Sequence, residues 1–296
     1  MIWWKCSILF QSVSIDRWFN AGLRLGAALA ALIMALILLF LLLESWPALQ
    51  HIPLIRFVTD DAWHPLEDRY NLLPMVTGTL YASSGSLLLV IPLGIASALF
   101  MAFYASPRMS MLYRRLIELL AGIPSVVFGF WGLTTVVPLI NQWQPPGASL
   151  LTAILILTLM ILPTLVLTSY AALMAVPDEY LRSAAALGLS RWGMIYGVVL
   201  PAARQGIVAG ILLAAGRAVG ETMAVLMVAG NVVQHADSLF APIRTLTANI
   251  ALEMAYAMGD HRAVLFVSGL LLLLLVMILR NCLEILNPSV NVRNFL

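Results

Sequence analysis

Arg217 and Glu221 lie inside an apolar run, residues 207–229, that otherwise reads as one membrane-spanning helix. Each charge costs roughly 3 kcal/mol to place at the centre of a bilayer, so such residues face protein or a water-lined path. Their i, i+4 spacing sets one above the other on a single helix face. Gly206, Gly210, Ala214 and Ala224 fall on the same face, in a sector of roughly 80°. Small residues mark the close approach of a second helix. An arginine offers a fixed positive charge and a fork of N–H groups, which suits an oxyanion. A glutamate one turn away keeps that charge from trapping the anion. Gly220 and Thr222, on either side of Glu221, complete this candidate pathway. The competing reading is a static ion pair that fixes helix packing and touches no cargo.

Two further groups of residues carry a chemical pattern. Thr79, Ser83 and Ser86, with Ser97, share one face of a helix predicted over residues 74–104. Two readings of them stand: they bond an oxyanion in a cavity, or they bond their own helix carbonyls one turn back. Residues 176–205 form the other group. Pro177, Asp178 and Glu179 predict a helix start, and Gly188 predicts a break before a second short helix. Such a unit is too polar to span a membrane and too apolar for an idle loop. It reads as a docking knob for a cytoplasmic partner. Glu118, one turn beyond Arg114, is expected to pair with it near the surface.

The elements that must position these groups are apolar helices. The 296-residue chain is 62% hydrophobic and 10% charged, with a mean hydropathy of +0.97. Soluble domains do not have that composition. Several runs exceed the roughly 18 apolar residues that mark a spanning helix. The fold class is therefore an all-α integral membrane protein, with six spans. Cys6 and Cys282 lie near opposite ends without ligand spacing, so free thiols are expected and no metal site. His51, His64, His235 and His261 all fall in predicted loops and form no ligand cluster. No cofactor is implied. The single lysine, Lys5, does not sit in a Gly-x4-Gly-Lys setting, so the chain is no ATPase. His-Glu-x-x-His and Gly-x-Ser-x-Gly are absent as well, and no catalytic residue is assigned.

Residues 1–22, with Trp3, Trp4, Trp18 and Phe19 near Lys5 and Arg17, read as a cytoplasmic, interfacial segment rather than a signal peptide. Residues 23–71 read as an anchoring helix over 23–43 and a polar external loop from Glu44. Residues 72–280 hold the core, with helices over 74–104, from 116, over 150–174 with an interruption at Pro163, over 207–229 and over 263–279. Gly122 to Ser125 predicts a kink or local unwinding, and Pro145-Pro146-Gly147 a turn. Residues 243–258, within an external loop 231–262, predict an amphipathic or partly re-entrant helix. Residues 281–296 read as a cytoplasmic tail. Loop lysines and arginines divide eleven to four between the two sides, which places both termini and residues 176–205 in the cytoplasm.

The docking knob fits a family pattern. ABC importer permeases carry Glu-Ala-Ala, three residues, Gly, nine residues, then Ile-x-Leu-Pro. Here Gly188 and Val198-x-Leu200-Pro201 keep that spacing. Arg182-Ser183-Ala184 occupies the Glu-Ala-Ala positions, so the acidic residue is missing, and Glu179 one turn earlier is its candidate substitute. The runs from Leu119 to Gly129, Ile161-Leu162-Pro163-Thr164, and above all Gly216-Arg217-Ala218-Val219-Gly220-Glu221-Thr222-Met223-Ala224-Val225 are more specific. They resemble the phosphate-specific, PstC-like permeases of binding-protein-dependent ABC importers, over most of residues 78–279.

The resemblance implies a six-helix, type I ABC importer transmembrane domain in the bacterial cytoplasmic membrane. Its cargo would be inorganic phosphate, with another oxyanion as the alternative. It implies that Arg217 and Glu221 lie on the translocation helix. An ATPase contact is implied at Glu179, Arg182, Ser183, Ala184, Ala185, Leu187, Gly188, Leu200 and Pro201. The implied partners are a second permease of the PstA type, two ATP-binding subunits and an external phosphate-binding protein. An ion-coupled secondary transporter also explains the intramembrane charges, but not the spacing from Gly188 to Pro201.

Overall fold

The computed structural model describes the backbone of residues 3–286 and the side chains of residues 19–281. A long α1 (Trp3–His51) leads through α2 (Arg56–Thr59) and a hairpin, β1 (Trp63–His64) and β2 (Arg69–Tyr70), into α3 (Leu73–Leu99). A π-turn, Phe100–Tyr104, ends that helix. Then come α4 (Pro107–Gly122), α5 (Ser125–Trp131), α6 (Val137–Trp143) and α7 (Leu150–Met174). The knob holds α8 (Asp178–Ala186) and α9 (Arg191–Met194), followed by α10 (Leu200–Gly220) and α11 (Met223–Val228). The chain closes with α12 (Leu246–Glu253) and α13 (Gly259–Leu286).

Among the described residues, six helical stretches are long and apolar enough to cross a membrane: Phe19–His51, Leu73–Tyr104, Ser125–Trp143, Leu150–Met174, Arg191–Gly220 and Gly259–Asn281. The core is α7. Its most apolar window is 67% buried, against 0% for the first span, so α7 is the axis and α1 the periphery. A helix apolar on every side is stable only when other helices surround it. Pro163 is buried inside α7 and does not interrupt it, contrary to expectation.

Glycines let α3 and α10 close on that axis. A side chain at Gly94 would collide with Leu165, one at Gly206 with Ala172, and one at Gly210 with the Thr168 hydroxyl. The small-residue face expected on the Arg217 helix therefore does meet another helix, and the partner is α7.

Three segments differ from expectation. First, α1 continues past residue 43 to His51, through Pro47, where a polar loop is expected. The polar residues there are held by the start of α13: His51 Nδ1 lies 3.0 Å from Asp260, and Arg262 Nη2 lies 3.5 Å from Glu44. Second, the residues around Gly122 form a full break. Ile123 and Pro124 are extended, and α4 is a separate helix capped by Ser106, which accepts from the Met109 amide. The third spanning helix therefore begins at Ser125 rather than near 116. Third, α13 starts at Gly259 and stays helical to Leu286. Beyond that point the expected tail lies outside the described residues, as do the side chains of Lys5, Cys6, Arg17 and Cys282.

Candidate translocation site

The span carrying Arg217 is broken at the candidate site. α10 ends at Gly220, Glu221 is extended (φ −70°, ψ 129°), and α11 restarts at Met223. This corrects the expected i, i+4 pair: among the described residues, no ion pair joins Arg217 to Glu221. The extended residue carries the glutamate off the α10 face and over the open amides of the next helix. Glu221 Oε1 accepts from the Ala224 amide at 3.0 Å, which satisfies one of the donors that every helix start leaves free. The Glu221 carbonyl, freed by the same break, accepts from Thr247 Oγ1 of α12 at 2.9 Å. Thr222 Oγ1 donates to the Gly220 carbonyl at 3.3 Å. Irregular backbone at membrane depth is tolerated only with such compensation.

Arg217 instead turns to α7. Its Nη1 donates to Thr164 Oγ1 at 3.3 Å, at the end of the Thr168–Ala172 face on which Gly206 and Gly210 pack. The guanidinium remains exposed, on an open face of α10 that also carries Gly216, Gly220 and the 59%-exposed Leu213. A cation on an open face at this depth needs protein or water over it. The arrangement offers a fixed positive charge, most of its N–H fork still free, beside two glycines that let an ion or a neighbouring helix come close. The sequence marks Thr164 only as part of the Ile161-Leu162-Pro163-Thr164 run, with no site role; its contact with Arg217 comes from the packing of α10 on α7.

The α3 hydroxyls resolve towards the second reading. Thr79, Ser83 and Ser86 are buried, and each donates to a carbonyl of its own helix: Thr79 to Met75 (2.8 Å), Ser83 to Thr79 (2.7 Å) and Ser86 to Ser83 (2.8 Å). Thr79 Oγ1 also accepts from the Leu246 amide at the start of α12. These groups pack α3 against its neighbours, and among the described residues none of them bonds Arg217 or Glu221.

A polar cluster unanticipated from the sequence lies at the end of the bundle that carries the hairpin. Glu253, 7% exposed, accepts from Arg244 Nη1 (2.7 Å), Trp63 Nε1 (3.0 Å) and His261 Nε2 (2.8 Å). A carboxylate is acceptor only, so the network assigns the proton to Nε2 of His261. Arg244 further donates to Asn249 Oδ1 and to the Asn231 carbonyl. The cluster floors a cavity of about 930 Å³ lined also by Leu66, Asp68, Tyr70, Met258 and Asp260. Burial, and then the Asp68 carboxylate, push the Tyr70 phenol up to about 12, so it stays a hydrogen-bond donor to Asp68.

The knob is exposed at the opposite end. Ala184 alone of its α8 residues is buried, while Leu187 is 80% and Trp192 63% exposed. Glu179, Arg182, Ser183 and Ala185 are exposed, and Arg114 donates to Glu118 at 2.8 Å as expected. Gly188 sits at φ 72° with open space around it, ending α8 so that Leu187 projects. Leu200 and Pro201 open α10, so the knob runs through the π-turn Ile195–Val199 directly into the helix that carries Arg217.

Residues 90–292 match the family model described as binding-protein-dependent transport system inner membrane component. The chain belongs to that family. It is 36% identical over 279 residues to the phosphate transport system permease protein PstC of Mesorhizobium japonicum, covering 87% of this chain and 85% of that one. It is 32% identical to the protein of the same description in Pasteurella multocida, over 88% of each chain. Among solved structures it is similar to a bacterial ABC transporter that imports the acidic polysaccharide alginate, with a TM-score of 0.65, 17% identity, and coverage of 96% of this chain and 99% of that one. Its fold is the type I ABC importer transmembrane domain.

Proposed function

We infer that this chain is the permease subunit of an ATP-driven importer of inorganic phosphate, and that Arg217 is the fixed cation on its path. Two observations support this together: the likeness to phosphate permeases along nearly the whole chain, and the open Arg217 face beside the break at Glu221. A dianion entering a low-dielectric path needs a fixed cation or several aligned donors, and arginine supplies both. Gly216 and Gly220 leave room for the ion and for a second permease subunit that closes the path. Glu221 stays on the α11 amides while Arg217 faces the ion, and Thr222 holds the break between them.

The chain spans the membrane six times with both termini inside, so the knob from Asp178 to Pro201 faces the cytoplasm. Two ATP-binding subunits dock there, around Leu187 and Gly188, and ATP hydrolysis resides in them. The hairpin and α12 lie outside and meet a phosphate-binding protein. The expected measurement is uptake of labelled phosphate that needs this chain, ATP and the binding protein. Uptake that persists without an ATPase and collapses with a protonophore would make the chain a secondary transporter instead.

A further inference from the structure

The break at Glu221 is tied to the external cavity by α12, which is hydrogen-bonded at both ends. At its inner end, α12 holds the break from the side: Thr247 Oγ1 donates to the Glu221 carbonyl, and the Leu246 amide bonds Thr79 of α3. At its outer end, α12 terminates in Glu253, whose carboxylate collects donors from three other segments, Arg244, Trp63 and His261. Arg244 lies just before α12, Trp63 is in the hairpin and His261 is in the first turn of α13. An eight-residue helix has little stability of its own, so its position is set by its buried residues, Leu246 to Asn249, and by these end contacts.

We propose that Glu253 is a positioning residue that couples the external cavity to the translocation break. It clamps α12 so that Thr247 keeps the Glu221 carbonyl bonded and holds the break beside Arg217 in its present shape. The coupling rests on the permease assignment above and deepens it. A partner that enters the cavity reaches the Glu253 donors directly. Leu66 and Met258, almost fully exposed on its lining, are the apolar side chains such a partner meets first. Pulling Trp63 or Arg244 away from Glu253 loosens the outer end of α12, and with it the Thr247 contact on the Glu221 carbonyl.

The test reads opening of the break directly, without transport. In the assembled complex, with Cys6 and Cys282 replaced by serine, a single cysteine is placed by Gly220→Cys, where the space around the Cβ is open. A second complex carries Asp237→Cys as a control on the exposed loop. The labelling rate is measured with a membrane-impermeant maleimide from outside. Glu253→Gln removes the charge that holds Arg244 and leaves one acceptor oxygen where the carboxylate offers two, while Thr247→Val removes a single hydroxyl and leaves the fold little disturbed.

Each variant is expected to raise labelling of residue 220 by about 10-fold, within the usual span of coupling between sites, and the control is expected to stay unchanged. The double variant should label no faster than the singles, because both break the same connection. Unchanged labelling in either variant overturns the coupling. So does an additive double, or an equal rise at residue 237. Phosphate uptake by an Arg217 variant tests the permease assignment separately, so the two can fail independently.

Discussion

Arg217 donates to Thr164, and that contact aims a charge without neutralising it. Thr164→Val removes the acceptor and leaves the cation in place. The expected effect is a loss of about 1 kcal/mol of orientation, or a roughly 5-fold rise in the KM for phosphate uptake with maximal rate kept. Arg244 differs because its charge is committed to a buried carboxylate. Arg244→Leu leaves the buried Glu253 carboxylate without its guanidinium and with only Trp63 and His261 as donors, and breaking such a pair costs about 3–5 kcal/mol. Thermal unfolding of the detergent-solubilised chain should register it as a lower midpoint. An unchanged midpoint would mean that Glu253 is solvated in the protein.

At the scale of elements, glycine decides how α10 reaches both of its partners. Gly210 lies against the Thr168 hydroxyl, so Gly210→Leu must push α10 off α7 and should cost about 1–3 kcal/mol through overpacking. Gly188 has no neighbour but a positive φ, so Gly188→Val strains the knob alone. That variant should reach the membrane folded and fail to hold the ATPase, as read by co-purification. Normal ATPase recovery and transport would place the docking contact elsewhere.

The small-residue face, the Gly188 break and the span limits of α3 and α7 were legible in the sequence because they are local signals of spacing and residue type. The helix break at Glu221 was not. Residues 207–229 are apolar enough to read as one helix, and what stabilises the break is Thr247, distant in sequence. The same holds for Glu253, whose partners come from residues 63, 244 and 261, and for the helical extension of α1 to His51, held by α13. Long-range hydrogen bonds leave no periodicity to read.

Taken whole, the molecule is a bundle around α7 with an exposed knob at one end and a cavity-bearing cap at the other. In between lies the broken span. Six spans put Asp237 and Arg191 on opposite sides of the membrane, so cysteines at the two positions should react with an impermeant reagent from opposite faces of sealed vesicles. Reaction from the same face would break the six-span topology. The central claim is that the Arg217 charge serves the ion. ATP-dependent uptake of labelled phosphate by the assembled complex tests it most directly, in Arg217→Gln and in Arg217→Gln with Glu221→Gln, with membrane level and ATPase attachment matched to the parent. The account predicts background uptake in both, because removing Glu221 as well cannot restore a missing cation. Parent-level uptake by the double variant would contradict it and leave both residues as parts of the scaffold.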